Sequence, residues 1–185
     1  LPAVKEKTVK VALPPFKQAH NYLTSVEIRA QVLKRILEAL PESGSVVIVG
    51  HSLGSVIAAD LIRRLPAGLE VVGLVTIGSP LANGKFDVDK LRDSLVDPPA
   101  NLAWWVNFWN VLDPVAAHRG VSSVFPWLID FRINSGASSP KQAHSAIAYL
   151  TDETVAMAIG FALFGSRSKE LDHVPAGEEV ALDAA

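Results

Sequence analysis

The chain has 185 residues, 49% of them hydrophobic and 19% charged; 17 Lys and Arg stand against 19 Asp and Glu, a net charge of −2. That length suffices for one domain with a sizeable core, and a near-neutral balance with no basic run removes electrostatic support for a nucleic-acid partner. The lack of cysteine excludes disulfides and thiolate–zinc sites, and no apolar run reaches the roughly 20 residues of a spanning helix, so no transmembrane segment and a cytoplasmic protein are expected.

Residues 8–13 (Thr-Val-Lys-Val-Ala-Leu) read as a short strand, ended by Pro14-Pro15 and followed by a loop to about Tyr22. Thr24 or Ser25 then caps a helix through Leu40, with Val26, Ile28, Val32, Leu33, Ile36 and Leu37 at helical spacing. Pro41 and Gly44 break it before a β-branched strand at 46–49. A helix over 53–65 is stopped by Pro66 and Gly68. A second apolar strand (71–77) ends in Gly78-Ser79-Pro80. Phe86, Val88, Leu91, Leu95 and Val96 suggest one short amphipathic helix. Residues 104–112 form a third strand with Asp113-Pro114 at its end, and 128–133 a fourth. A loop rich in Ser, Gly and Pro (134–140) delivers His144. Thr151, Asp152 and Glu153 open a last helix, apolar on most faces and therefore expected to be buried. From Ser166 onward the chain reads as a polar, flexible tail.

Strands alternating with helices at this spacing predict βαβ units and a parallel sheet, whose functional groups gather at the carboxyl ends of the strands. Gly50-His51-Ser52, Gly78-Ser79, Asp113 and the His144 loop all fall at that edge. The most informative stretch is Gly50-His51-Ser52-Leu53-Gly54. A buried strand stops at Gly50, one serine stands between two glycines, and small residues open a helix. Two glycines let strand and helix approach closely while the serine sits in a strained turn at the positive end of that helix.

Through Gly-His-Ser-Leu-Gly (50–54), Thr-Ile-Gly-Ser-Pro (76–80) and Asn-Val-Leu-Asp-Pro-Val (110–115), the sequence resembles the lipase-like and esterase-like members of the α/β-hydrolase superfamily. The resemblance covers about residues 8–165. It implies a minimal α/β-hydrolase fold: a mostly parallel sheet flanked by helices on both faces, with little or no lid between the serine and the acid. Residues 1–165 would then form one domain, truncated at its amino end. It also implies the chain order serine, acid, histidine, which Ser52, Asp113 and His144 satisfy, and an oxyanion donor at the Leu53 amide. A second donor normally follows an earlier strand. Here Phe16 or Lys17 would have to serve, since prolines donate nothing, or the loop lies upstream of Leu1.

Asp113 has a local argument as well, because a residue before proline is held extended. Asp130 is the rival acid, able to pair with Arg132 on one strand face. Among the five histidines, His118 competes with His144, His51 packs or hydrogen-bonds locally beside the serine, and His20 and His173 lie off the pattern. Trp105 and Trp109 fall on one strand face and Trp104 on the other, so core packing is favoured over an acyl-binding wall.

Two readings follow. The first is a serine esterase or lipase-like hydrolase with a small-molecule ester or lipid-like substrate, needing no cofactor and no metal. The second is a hydrolase-fold binding or regulatory module whose partners are further domains of the same protein.

Overall fold

The computed structural model describes residues 14–165; the expected strand at 8–13 and the polar tail lie outside them. Strands β1 (Ser43–His51), β2 (Gly68–Ile77), β3 (Trp105–Asn110) and β4 (Ile129–Ile133) form one sheet in sequence order, every pair parallel. The register aligns His51 with Ile77 and Ile77 with Phe108, so the strands end at one common edge.

Alternation along β2 and β3 splits the core in two. Leu74 and Trp105 point to one face, where Val56 and Ala59 of helix α3 (Leu53–Leu61), and Ile62 just after it, pack with Phe125. Val75, Val106 and Phe108 point to the other, against Tyr149 of α6 (Ala146–Leu150) and Val155 of α7 (Glu153–Phe164). Burial on both faces is what apolar parallel strands require. Trp105 is a core residue, its ring tilted against Phe125 and edge-on to Trp127 and its indole N–H donating to Thr76 Oγ1 at 2.8 Å, while Trp104 packs on the opposite face against Phe161.

Three expectations change. Residues 14–24 are not a loop but helix α1 (Pro14–Thr24). The two prolines begin that helix, because the first turn needs no N–H donors and prolines preset its φ. Helix α3 stops at Leu61, where the chain tightens as Arg64 N–H donates to the Leu61 carbonyl. The last helix is not buried all round: Val155 and Ala162 are, but Met157, Phe161, Leu163 and Phe164 are exposed. Its apolar faces outnumber the single sheet face available to it. Helix α2 (Val26–Ala39) forms as expected, with Ser25 accepting from the Ile28 N–H.

Between β2 and β3 lie one 3₁₀ turn (Pro80–Ala82) and one six-residue helix, α4 (Asp89–Ser94). Leu81, Val88, Leu91 and Leu95 of this connection are buried in the core, so it packs on the sheet as a floor and is no lid. Among the described residues no helix is long and apolar enough to cross a membrane.

Candidate active site

β1 delivers His51 and Ser52 to the carboxyl edge of the sheet, and α3 starts at once with Leu53. Ser52 has φ +53° and ψ −122°, a conformation that costs an L-residue about 1–3 kcal/mol and persists only where its surroundings enforce it. The enforcement is visible. A Cβ on Gly50 would lie 2.9 Å from both the Gly54 carbonyl oxygen and Ser55 Cα, so strand and helix backbones are in contact there. Gly54, expected to share this role, does not: a Cβ on it would meet nothing within 4 Å. Ser55 Oγ donates to the Ser52 carbonyl at 2.6 Å and shares a 2.7 Å hydroxyl bond with Ser79, which ties the turn to the end of β2. Gly50→Ala is therefore expected to force β1 and α3 apart and lower stability by about 1–3 kcal/mol. Thermal unfolding should show a fall of several degrees, and an unchanged melting temperature would refute the tight approach.

Asp113 follows β3 and is fully buried. Its Oδ1 accepts from the Val115 N–H at 2.8 Å and the Ala116 N–H at 3.4 Å. Its Oδ2 accepts from the Tyr149 hydroxyl at 2.8 Å and meets His144 Nδ1 at 2.9 Å. His144 comes from the segment after β4. Helix α5 (Pro140–Ala143), not a bare loop, precedes it, and Ser145 caps α6 just after it. Its Nε2 lies 3.0 Å from Ser52 Oγ. The three side chains expected together thus meet in one line: carboxylate, imidazole, hydroxyl. Since Asp113 accepts at Nδ1, the neutral imidazole has its proton there and a lone pair at Nε2 facing the serine.

Two further groups shape this line: His51, expected only to pack or hydrogen-bond locally, and Gly78, whose role the sequence does not show. His51 Nε2 is 2.8 Å from the His144 carbonyl, which can only accept, so Nε2 carries the proton and the ring clamps the histidine segment. Burial, then the neighbouring His144, hold the His51 pKa below the ordinary imidazole range, against the opposing effect of that carbonyl bond and of Asp113. Gly78 has φ +56°, and a Cβ there would lie 2.9 Å from Asp113 Oδ2 and 3.3 Å from His144 Nδ1. In the sequence Gly78 is marked by its place at the carboxyl end of the apolar run 71–77, not by its contact with the acid and the imidazole.

The rivals are occupied elsewhere. Asp130 accepts from Asn107 Nδ2 and from the Val121 and Ser122 N–H groups at 2.7–2.9 Å, anchoring a loop and not pairing as expected with Arg132. His118 is exposed and bonds the Val111 carbonyl. His20 is exposed on α1, and His173 lies outside the described residues. Leu53 is the first residue of α3, where an amide has no partner within the helix. Phe16 and Lys17, weighed as second donors, fall in the first turn of α1.

A parallel sheet with helices on both faces and a serine turn between strand and helix is the architecture of the α/β hydrolases. Within that class the chain belongs to the class 3 lipase family: residues 4–112 match the family model described as Lipase (class 3). It is thus a lipase-like or esterase-like hydrolase by family. No curated protein and no solved structure matched it. The family match includes Ser52 and ends one residue short of Asp113, so the acid and the histidine rest on geometry alone.

Proposed function

We propose that the protein is a serine hydrolase of carboxylic esters, including lipid-like ones, working through an acyl-enzyme on Ser52. One observation carries this reading: the unbroken line Ser52 Oγ–His144 Nε2 (3.0 Å) and His144 Nδ1–Asp113 Oδ2 (2.9 Å). A serine hydroxyl is a weak nucleophile until a base takes its proton, and this base is held in the needed tautomer by a buried acid.

In the proposed sequence Ser52 Oγ bonds to the ester carbonyl carbon as its proton passes to His144 Nε2. The carbonyl oxygen becomes an oxyanion, held by the Leu53 amide at the positive end of α3. Collapse breaks the bond to the alkoxy group, which leaves as an alcohol with the proton from His144. Water then attacks the acyl group with His144 again as base, releasing the acid and restoring Ser52. In this reading the turn at Ser52, held at positive φ, serves as a nucleophile elbow that aims Oγ at the substrate.

The test is a fluorophosphonate probe on the intact protein, followed by peptide mass mapping. A single adduct at Ser52, blocked by prior denaturation, is expected. A folded protein that takes up no probe, or takes it up elsewhere, would overturn the reading in favour of a hydrolase-fold binding module.

A further inference from the structure

We propose that Tyr149 is a fourth member of the Ser52–His144–Asp113 assembly, a positioning residue that fixes Asp113 against His144 and sets how strongly the acid supports the imidazolium. The inference rests on the serine-hydrolase reading above.

The hydroxyl of Tyr149 donates to Asp113 Oδ2, the same oxygen that faces His144 Nδ1. It also accepts the Asn110 N–H at 3.1 Å, at the end of β3. A phenol has one proton. With the amide of Asn110 filling an acceptor position, that proton is committed to Asp113. Burial first, then the charge of Asp113 and the bond to it, push the Tyr149 pKa far above the ordinary phenol range, so it stays a donor at any working pH.

The geometry leaves the group no freedom. Tyr149 is fully buried, and a Cβ on Gly78 would come within 3.1 Å of its Cε2, as well as touching the acid and the imidazole. The bare Cα of Gly78 is thus the floor on which three side chains meet. Tyr149 also belongs to the segment that carries His144, five residues on, across the Ser145 cap and one turn of α6. One phenol therefore ties the histidine segment to the acid and holds the carboxylate in the rotation that presents Oδ2.

The chemical consequence has a sign. A donor on Oδ2 withdraws charge from the oxygen that supports His144. Without it, Asp113 becomes a stronger acceptor and stabilises the protonated imidazole more, so the acid limb of the rate profile moves to higher pH. The groups facing this pair are His51 from the end of β1, Tyr149 from α6 and Ser52 from the turn. Of these, only Tyr149 touches the acid.

The experiment follows the rate of fluorophosphonate labelling at Ser52 against pH in the intact chain, for the native protein, Tyr149→Phe, and Tyr149 replaced by 3-fluorotyrosine. Tyr149→Phe, which removes a hydrogen bond to a charged group, is expected to label about tenfold more slowly at its plateau, with the acid limb displaced upward. The fluorinated phenol, a stronger donor of nearly the same size, should move the acid limb downward, which a purely packing role would not do. It also keeps the proposal testable if the phenylalanine variant fails to fold. Native-like profiles in the folded variants would overturn the role of Tyr149 while leaving Ser52 labelled. No labelling of the native protein would instead sink the hydrolase reading itself.

Discussion

Asp113→Asn is expected to lower the rate of ester hydrolysis by about 10⁴-fold at neutral pH while the chain stays folded. The amide has the shape of the carboxylate but one end that only donates. Asp113 now receives four donors: two backbone N–H groups on Oδ1, and the Tyr149 hydroxyl with His144 Nδ1 on Oδ2. An asparagine amide must turn its NH₂ toward one of these pairs. Toward His144 it would favour the other tautomer, with Nδ1 accepting and a proton on Nε2, facing the serine it should deprotonate. Toward Val115 and Ala116 it would set donor against donor in a fully buried site, which costs about 1–3 kcal/mol. The first arrangement silences the base and the second loosens the loop, so both lower activity. Turnover of a chromogenic short-chain ester, read beside a thermal unfolding curve, separates them. A folded variant with native turnover would remove Asp113 from the mechanism, and Asp130 could not replace it, since its oxygens are given to Asn107, Val121 and Ser122.

The legible part of this site was covalent and local. Val46 through Val49 and the glycines around Ser52 specify a strand, a turn and a helix without reference to anything distant, and the turn appears with Ser52 at φ +53°. The apolar runs at 46–49, 71–77, 104–112 and 128–133 give the four strands of the described residues, and a parallel sheet necessarily brings their carboxyl ends to one edge. What could not be read depends on segments meeting in space. Tyr149 looks like one more apolar residue in Ala-Ile-Ala-Tyr-Leu until its hydroxyl is seen on an acid 36 residues away. Gly78 reads as a strand terminator, yet its missing side chain is the space where acid, imidazole and phenol converge. The errors have physical causes too. Pro14-Pro15 reads as a stop because prolines break helix interiors, but the same absent donors suit a helix start. Helix α7 reads as buried from its composition; burial is decided by how many neighbours surround it, and the sheet offers one face.

Asp60→Ala is expected to lower stability by about 3 kcal/mol, the loss typical of removing one partner from a buried ion pair. Asp60 lies on α3, one residue from its carboxyl end, and is 5% exposed. Its Oδ2 accepts from the buried Tyr22 hydroxyl at 2.8 Å and Arg29 Nε at 2.6 Å, while Oδ1 takes Arg29 Nη2 at 2.5 Å and Arg64 Nε at 3.2 Å. One carboxylate thus joins α1, α2 and α3, the helices on the face where the turn at Ser52 is anchored. Alanine would leave a phenol and a guanidinium fork without their acceptor. Arg29 is partly exposed and can turn to water; Tyr22 cannot, which keeps the loss from being recovered. The pH dependence follows from the acid. Burial pushes its pKa up, but the bonds from Arg29 and Tyr22 outweigh this and hold it below the usual carboxylate value. A depressed folded pKa gives stability that is fully present above the unfolded value, near 3.8, and is lost as pH falls through the folded one. The native protein should therefore melt about 6–12 °C above Asp60→Ala at neutral pH, with the gap narrowing only below about pH 4. Labelling of Ser52 well below the melting temperature should stay close to native, because the network lies at the opposite end of α3. A gap that persisted undiminished at pH 3, or a variant as stable as the native chain at pH 7, would show that the carboxylate does not hold these three helices together.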